Sequence, residues 1–376
     1  MSQTADVVGL VQELIRNRCV NNGDADSGGE DRNARLIESY LEGPGVELER
    51  ITSAPGRSSV IARLEGTDPS APSLCLLGHT DVVPANEARW ERDPFGGELV
   101  DGWVWGRGAI DMFNLTASMA VAFRRLARSG FRPRGTLIYA AVADEESGGR
   151  HGAAYLAEHH PEAVCCDYVI TESGGMPLPS ATGIRLPVLS EEKGAMWSRI
   201  RVHGTPGHGS IPYPSDNALV KAAEVVRRLA AFHRPPRLDE TWRRFVEGLG
   251  FPDELAGPLL REEGFDDMVL ALPPGLARMA HACTHTTIAP TIMHGGTKVN
   301  VIPDTVDLEL DIRALPGDGA AEVRALVVEA LGDLADAVDI AIGPEELASS
   351  SAVETPLWDA MTKAARAFYE DATLVP

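Results

Sequence analysis

The sequence predicts an α/β fold built on a buried sheet, joined to a second domain of α+β character, and three observations predict it. First, the β-prone runs at 73–77, 136–142 and 168–170 each stop at a polar cluster: Gly78-His79-Thr80-Asp81, Asp144-Glu145-Glu146 and Glu172. Buried strands that end in such clusters are where α/β proteins place their sites. Second, residues with helical spacing lie between these runs, as at 115–126, where they suit a helix packed on the sheet. Third, the pattern changes near Ser190, after a loop holding Pro177, Pro179 and Pro187: the segment 306–313 alternates apolar and acidic residues, the mark of a half-solvated strand.

The elements follow in order. Val7, Val8, Leu10, Val11, Leu14 and Ile15 repeat at helical spacing behind Thr4, a suitable N-cap, and a second amphipathic helix spans 33–41. Between them, 21–30 is a polar, Gly-rich loop. β-prone segments at 46–51, 58–64 and 73–77 come next, then a turn-like stretch at 103–108 leading to Asp111. A helix at 152–159 follows the Asp144-Glu145-Glu146 cluster, before the strand at 168–170. In the second domain, 196–202 reads as a strand and 216–232 as a helix, whereas 234–282, rich in Pro, Gly and charge, reads as an elaboration with short helical patterns. Helices at 320–334 and 355–369 are expected to return to the first domain.

At roughly 150 residues per domain, 376 residues suit two or three domains, and 44% apolar residues are enough for real cores. A net charge of −21 repels phosphate backbones and anionic lipid, which argues against nucleic acid or a membrane surface as partner. Any anionic ligand then needs a local positive site. The five cysteines are odd in number and without CxxC spacing, so they suggest neither a disulfide framework nor a thiolate zinc site and read as reduced thiols of a cytoplasmic protein. The first residues lack a basic leader, and no apolar run approaches the roughly 18 residues of a membrane span.

The chemistry sits at the strand ends. Zinc and similar ions prefer imidazole and carboxylate, and two ions held together need a carboxylate able to bridge them. His79 and Asp81 lie on one face of an extended segment, so one can ligate while the other orients the imidazole. Asp111, Glu146 and Glu172 offer further oxygens, with Glu145 beside them as a base. Adjacent carboxylates repel unless a cation or proton intervenes, so Glu145-Glu146 after a buried strand makes more sense with metal than without.

At these residues the chain resembles the co-catalytic zinc exopeptidases and deacylases, the family of carboxypeptidase G, aminoacylase, acetylornithine deacetylase and succinyl-diaminopimelate desuccinylase. The motifs run in order through Gly78-His79-Thr80-Asp81-Val82-Val83-Pro84, Trp90 with Asp93-Pro94-Phe95, Gly106-Arg107-Gly108-Ala109-Ile110-Asp111-Met112, Asp144-Glu145-Glu146-Ser147-Gly148-Gly149, Gly207-His208-Gly209-Ser210-Ile211-Pro212, and Asn300-Val301-Ile302-Pro303 with Asp311-Ile312-Arg313. The resemblance implies a zinc-exopeptidase-type catalytic domain with a central mixed sheet at 1–190 and 317–376. An inserted α+β lid at 191–316 would also form a homodimer. It implies that His79 and Glu172 hold one zinc and Glu146 the other, with Asp111 bridging; cobalt or manganese would also suit such ligands. Asp81 would buttress His79, and Glu145 would deprotonate the attacking water and then protonate the leaving amine. His208 would stabilise the oxyanion, and Arg313 and Asn300 would grip the substrate's carboxylate.

Two departures stand out. The family has Lys-Gly after its Asp-Met pair, where this chain has Phe113-Asn114, which predicts a remodelled helix start. The family's second zinc also takes a late histidine, and no histidine follows His294, so the chain is expected to stop short of that ligand. The implied activity is cleavage of an amide bond next to a free carboxylate in a dipeptide or short peptide. The alternatives are an N-acyl amino acid deacylase and a non-catalytic metal-binding or scaffold protein. His281 and His285 have helical zinc-ligand spacing but no carboxylate to complete a set, and are read as structural.

Overall fold

The computed structural model describes residues 3–173, 175–180, 183–344 and 346–376. The chain divides into two compact units, Met1–Glu172 and Ser173–Pro376.

The first unit holds a five-stranded sheet in the order Glu47–Ala54, Arg57–Leu64, Leu137–Val142, Leu74–His79, Tyr168–Ile170. The first two pairings are antiparallel and the last two parallel, so the sheet is mixed, as expected. Helices Gln3–Arg16, Asp31–Leu41 and Phe113–Arg128 cover one face, where Leu14, Ile37, Phe113 and Phe123 pack with Val60, Ala62, Tyr139 and Ala141. On the other face, Ile61, Ile138, Ala140 and Val142 meet Leu156 and Ala163 of two short helices. Strand Leu137–Val142 is buried at every residue because both faces are covered, which is why its sequence is a continuous apolar run.

Helix Phe113–Arg128 comes unusually close to strand Leu74–His79. A Cβ on Gly78 would lie 2.6 Å from Thr116 Oγ1 and 3.2 Å from Thr116 Cα, and the same hydroxyl donates to His79 O at 2.9 Å. Glycine at 78 therefore lets the helix anchor the residue that enters the site. Gly78→Ala is expected to push the helix away and destabilise the protein by about 1–3 kcal/mol, the usual cost of overpacking, as read from urea unfolding.

The second unit carries an antiparallel sheet of Gly194–Ala195, Thr305–Ala314, Ser198–His203 and Val338–Ala341, with Thr287–Gly295 also paired to Thr305–Ala314. The alternation read in the sequence is real: Val306, Leu308, Leu310, Ile312 and Ala314 point inward. Helix Ala218–Ala231 covers this face. Helix Ala320–Leu331, expected to return to the first domain, packs here instead, with Val323, Val327 and Leu331 against Ile200, Val202 and Leu308. The next strand, Val338–Ala341, then pairs with Ser198–His203. Segment 234–282 folds as four helices, three of them around Trp242, Val246, Leu259, Phe265 and Val269 and the fourth adding Ala280. Strand Thr373–Val375 runs parallel to Gly183–Pro187. Among the described residues, no helix is long and apolar enough to cross a membrane.

Candidate metal centre

Strand order places the candidate ligands. Leu74–His79 lies between two parallel neighbours, Leu137–Val142 and Tyr168–Ile170, so the three C-terminal ends open on the same side. The first delivers His79 and Asp81, the second the Asp144–Glu146 turn, and the third Glu172. Asp111 arrives from the loop before helix Phe113–Arg128. That helix starts directly at Phe113, whose ring is buried and whose N–H donates to Gly108 O at 2.8 Å. At the departure from Lys-Gly, Phe113 takes the first helical position behind Met112, which supplies no side-chain cap.

His79 is the buried hub. Its Nδ1 lies 3.0 Å from the backbone oxygen of Asp81, which can only accept, so Nδ1 carries a proton. Its Nε2 faces carboxylates: Asp111 Oδ1 at 3.0 Å, Glu145 Oε2 at 3.7 Å and Glu172 Oε2 at 3.7 Å. An imidazole lone pair set against carboxylates requires a cation or a second proton. Without an ion the proton takes that place: burial pulls the imidazole down, but the carboxylates of Asp111, Asp81 and Glu172 around it outweigh that and lift its pKa to about 12. The same pairing with His79 holds Asp111 below the usual carboxylate range. Burial pushes Glu145 up to about 7, opposed by the charge of His79 and reinforced by Glu172 and Glu146. Burial raises Glu146 as well.

Among the described residues, two sets of donor atoms lie within 4.8 Å of one another, His79 with Glu145 and Glu172, and His79 with Asp111 and Glu146. One imidazole and several converging carboxylates fit a divalent ion by donor type and charge. The expected site residues of the first unit are therefore brought together. Asp81 faces the imidazole, with His79 Nδ1 3.5 Å from its Oδ1, and also holds the neighbouring turn: its carboxylate accepts the backbone N–H of Glu145 at 3.2 Å and of Glu146 at 3.1 Å.

The other three candidates lie in the second unit. Gly207–His208 pairs with Val301–Ile302, and Gly209 N–H donates to Asn300 O at 2.9 Å, which makes His208 and Asn300 neighbours. Ser210 N–H donates to His208 Nδ1 at 3.2 Å, so in the neutral ring Nε2 carries the proton. Arg313 lies near the far end of strand Thr305–Ala314, exposed, with Nε donating to Asp311 Oδ1 at 2.8 Å. His281 and His285 stack at 4.2 Å, and the ring of His285 bonds the backbone oxygens of His281 and Arg234, a structural arrangement.

Sequence reasoning missed Asn21, Glu30 and Arg57, which are buried beneath the centre together with Asp144, a motif residue to which it gave no role. The available signal was the polar run Arg57-Ser58-Ser59 at the head of a strand whose other residues are mostly apolar.

A sequence profile described as peptidase family M20/M25/M40 matches residues 75–376, and the chain belongs to that family. A probable carboxypeptidase S-like 2 of Dictyostelium discoideum is 29% identical over 287 residues, covering 73% of this chain and 54% of its own. A succinyl-diaminopimelate desuccinylase of Rhodospirillum centenum is 32% identical over 229 residues, 60% of this chain and 57% of its own. The chain thus spans little more than half the length of these relatives. The crystal structure of an M20 family metallo-carboxypeptidase from Sulfolobus solfataricus shares the fold, with a TM-score of 0.72 at 17% identity, over 100% of this chain and 86% of that one.

Proposed function

We propose that this chain carries the catalytic centre of a metal-dependent hydrolase that cleaves an amide bond next to a free carboxylate, in a dipeptide or short peptide. The observation that carries the reading is the convergence of Asp111, Glu145 and Glu172 on the buried Nε2 of His79. His79, Asp111, Glu146 and Glu172 would hold two divalent ions, zinc before cobalt or manganese by their donor set. Bound there, such ions polarise the scissile carbonyl and lower the pKa of water.

The chain's own groups do the rest. Glu145, raised by burial to about 7, takes a proton from the attacking water and returns it to the departing nitrogen. His208, with Nδ1 occupied by the Ser210 N–H, offers Nε2–H to the developing oxyanion. Arg313 and Asn300 take the substrate's carboxylate, for which a guanidinium fork is suited. We assign the antiparallel domain of the second unit the part of a lid that pairs two copies.

A second reading, hydrolysis of N-acyl amino acids, is favoured by the 32% identity to a desuccinylase. Dipeptides and N-acyl amino acids assayed side by side after zinc reconstitution separate the two, and no hydrolysis of either class by the metal-loaded chain would refute both. Because Arg313 is exposed and, among the described residues, its guanidinium pairs only with Asp311 of its own strand, Arg313→Ala is expected to leave stability within about 0.5 kcal/mol of the parent. It should raise KM for carboxylate-bearing substrates far more than it lowers kcat; an unchanged KM removes it from the clamp.

A further inference from the structure

Beneath the carboxylates lies a buried polar network that the reaction just described does not use. Arg57 is 3% exposed; its Nη1 donates to Glu30 Oε1 at 2.6 Å and sits 3.4 Å from Asp144 Oδ1, while its Nη2 donates to Asn21 Oδ1 at 3.3 Å. Asn21, 1% exposed, carries the connection onward, its Nδ2 donating to Asp81 Oδ2 at 2.8 Å and to Asp144 Oδ1 at 2.9 Å. The amide can sit only this way round, because its oxygen also takes the Gly23 N–H at 3.1 Å while its nitrogen faces carboxylates.

Glu30 and Asp144 thus share Arg57 as their buried cation, with Asp81 joined to them through Asn21, and Glu30 Oε2 has no hydrogen-bond partner among the described residues. Burying charge in this way is no route to stability, since apolar packing does as well or better. What the network touches is more informative. Asp81 holds the backbone N–H groups of Glu145 and Glu146. Asp144 opens their turn in the left-handed region, at φ 64°, and its Oδ2 accepts the His151 N–H at 2.9 Å. A small shift of Asn21 would move both supports of that turn together.

We propose that Asn21 and Arg57 are positioning residues: through Asp81 and Asp144 they hold the Glu145–Glu146 turn where its carboxylates meet His79, and so set the affinity of the site for a divalent ion. This rests on reading the site as a metal centre. Asn21 is the decisive position because it is neutral. Asn21→Ser breaks the amide's bonds without changing net charge, so a change in affinity reports position and not field.

The test is Zn²⁺ binding to the full chain, by competition with a chromophoric chelator, alongside the melting temperature of the metal-free protein. Asn21→Ser is expected to bind Zn²⁺ about 10–100-fold more weakly, the usual cost of losing an outer partner, in a chain that still folds cooperatively but melts lower without metal, because buried carboxylates lose a donor. In substrate hydrolysis at saturating Zn²⁺, kcat should fall while KM holds. Arg57→Lys keeps the charge but loses the arm that reaches Asn21, and is expected to weaken Zn²⁺ binding in the same direction; it carries the test if the serine variant fails to fold. Folded variants with parental Zn²⁺ affinity would overturn the proposal while leaving the metal centre standing. A parent chain that binds no Zn²⁺ would overturn both.

Discussion

Glu145→Gln is expected to lower kcat by about 10²–10⁴-fold, the range lost with a general base, while the protein keeps its full complement of metal. The substitution is nearly isosteric, and the residue's tie to the fold, its backbone N–H on Asp81, does not depend on the side chain. What is lost is a basic carboxylate whose pKa, lifted by burial to about 7, suits proton transfer near neutrality. A bound cation would draw that value down, which still leaves the group ionised and ready to accept. The measurements are metal content after dialysis and steady-state kcat. Full activity removes Glu145 as the base; loss of metal makes it a ligand, a role compatible with its grouping with His79 and Glu172.

Asp111→Ala is expected to weaken metal binding by more than about 100-fold, beyond the cost of losing an outer partner, and to abolish turnover with it. The side chain is 67% exposed and its hydrogen bond goes to His79, so the fold has little stake in it. Circular dichroism and the melting temperature of the metal-free protein should therefore match the parent. His79, freed of its nearest carboxylate, should lose part of the upward shift that its carboxylate neighbours give it in the metal-free protein. Unaltered metal affinity in this variant would show that Asp111 is no ligand.

The layout of the first unit was legible because its strands obey simple rules. A strand buried on both faces must be continuously apolar, and where 136–142 turned to Asp-Glu-Glu the sheet had to end. The second unit was harder. Strand Thr287–Gly295 hides Pro290 at a register shift on a sheet edge, where proline is tolerated and the two-residue period breaks. Helix Ala320–Leu331 was recognisable as amphipathic, but its partner was not, since an apolar stripe does not say which sheet it covers. In the site, the candidate donors that gather around His79 stood out in the sequence because each follows a strand or sits in a motif. Asn21, Glu30 and Arg57 did not, because a polar loop and a strand's first residue look solvated until tertiary contacts bury them.

The three parallel strand ends have a thermodynamic consequence. They gather donors that lie anywhere from position 79 to position 172, and in the unfolded chain those donors are scattered through a flexible coil. An ion binding this centre therefore recognises only the folded state, and its occupancy adds directly to the stability of the first unit, by about 2.7 kcal/mol when free metal stands at a hundred times the dissociation constant. The melting temperature becomes a function of free metal, and a chelator acts on this half of the molecule as a mild denaturant would.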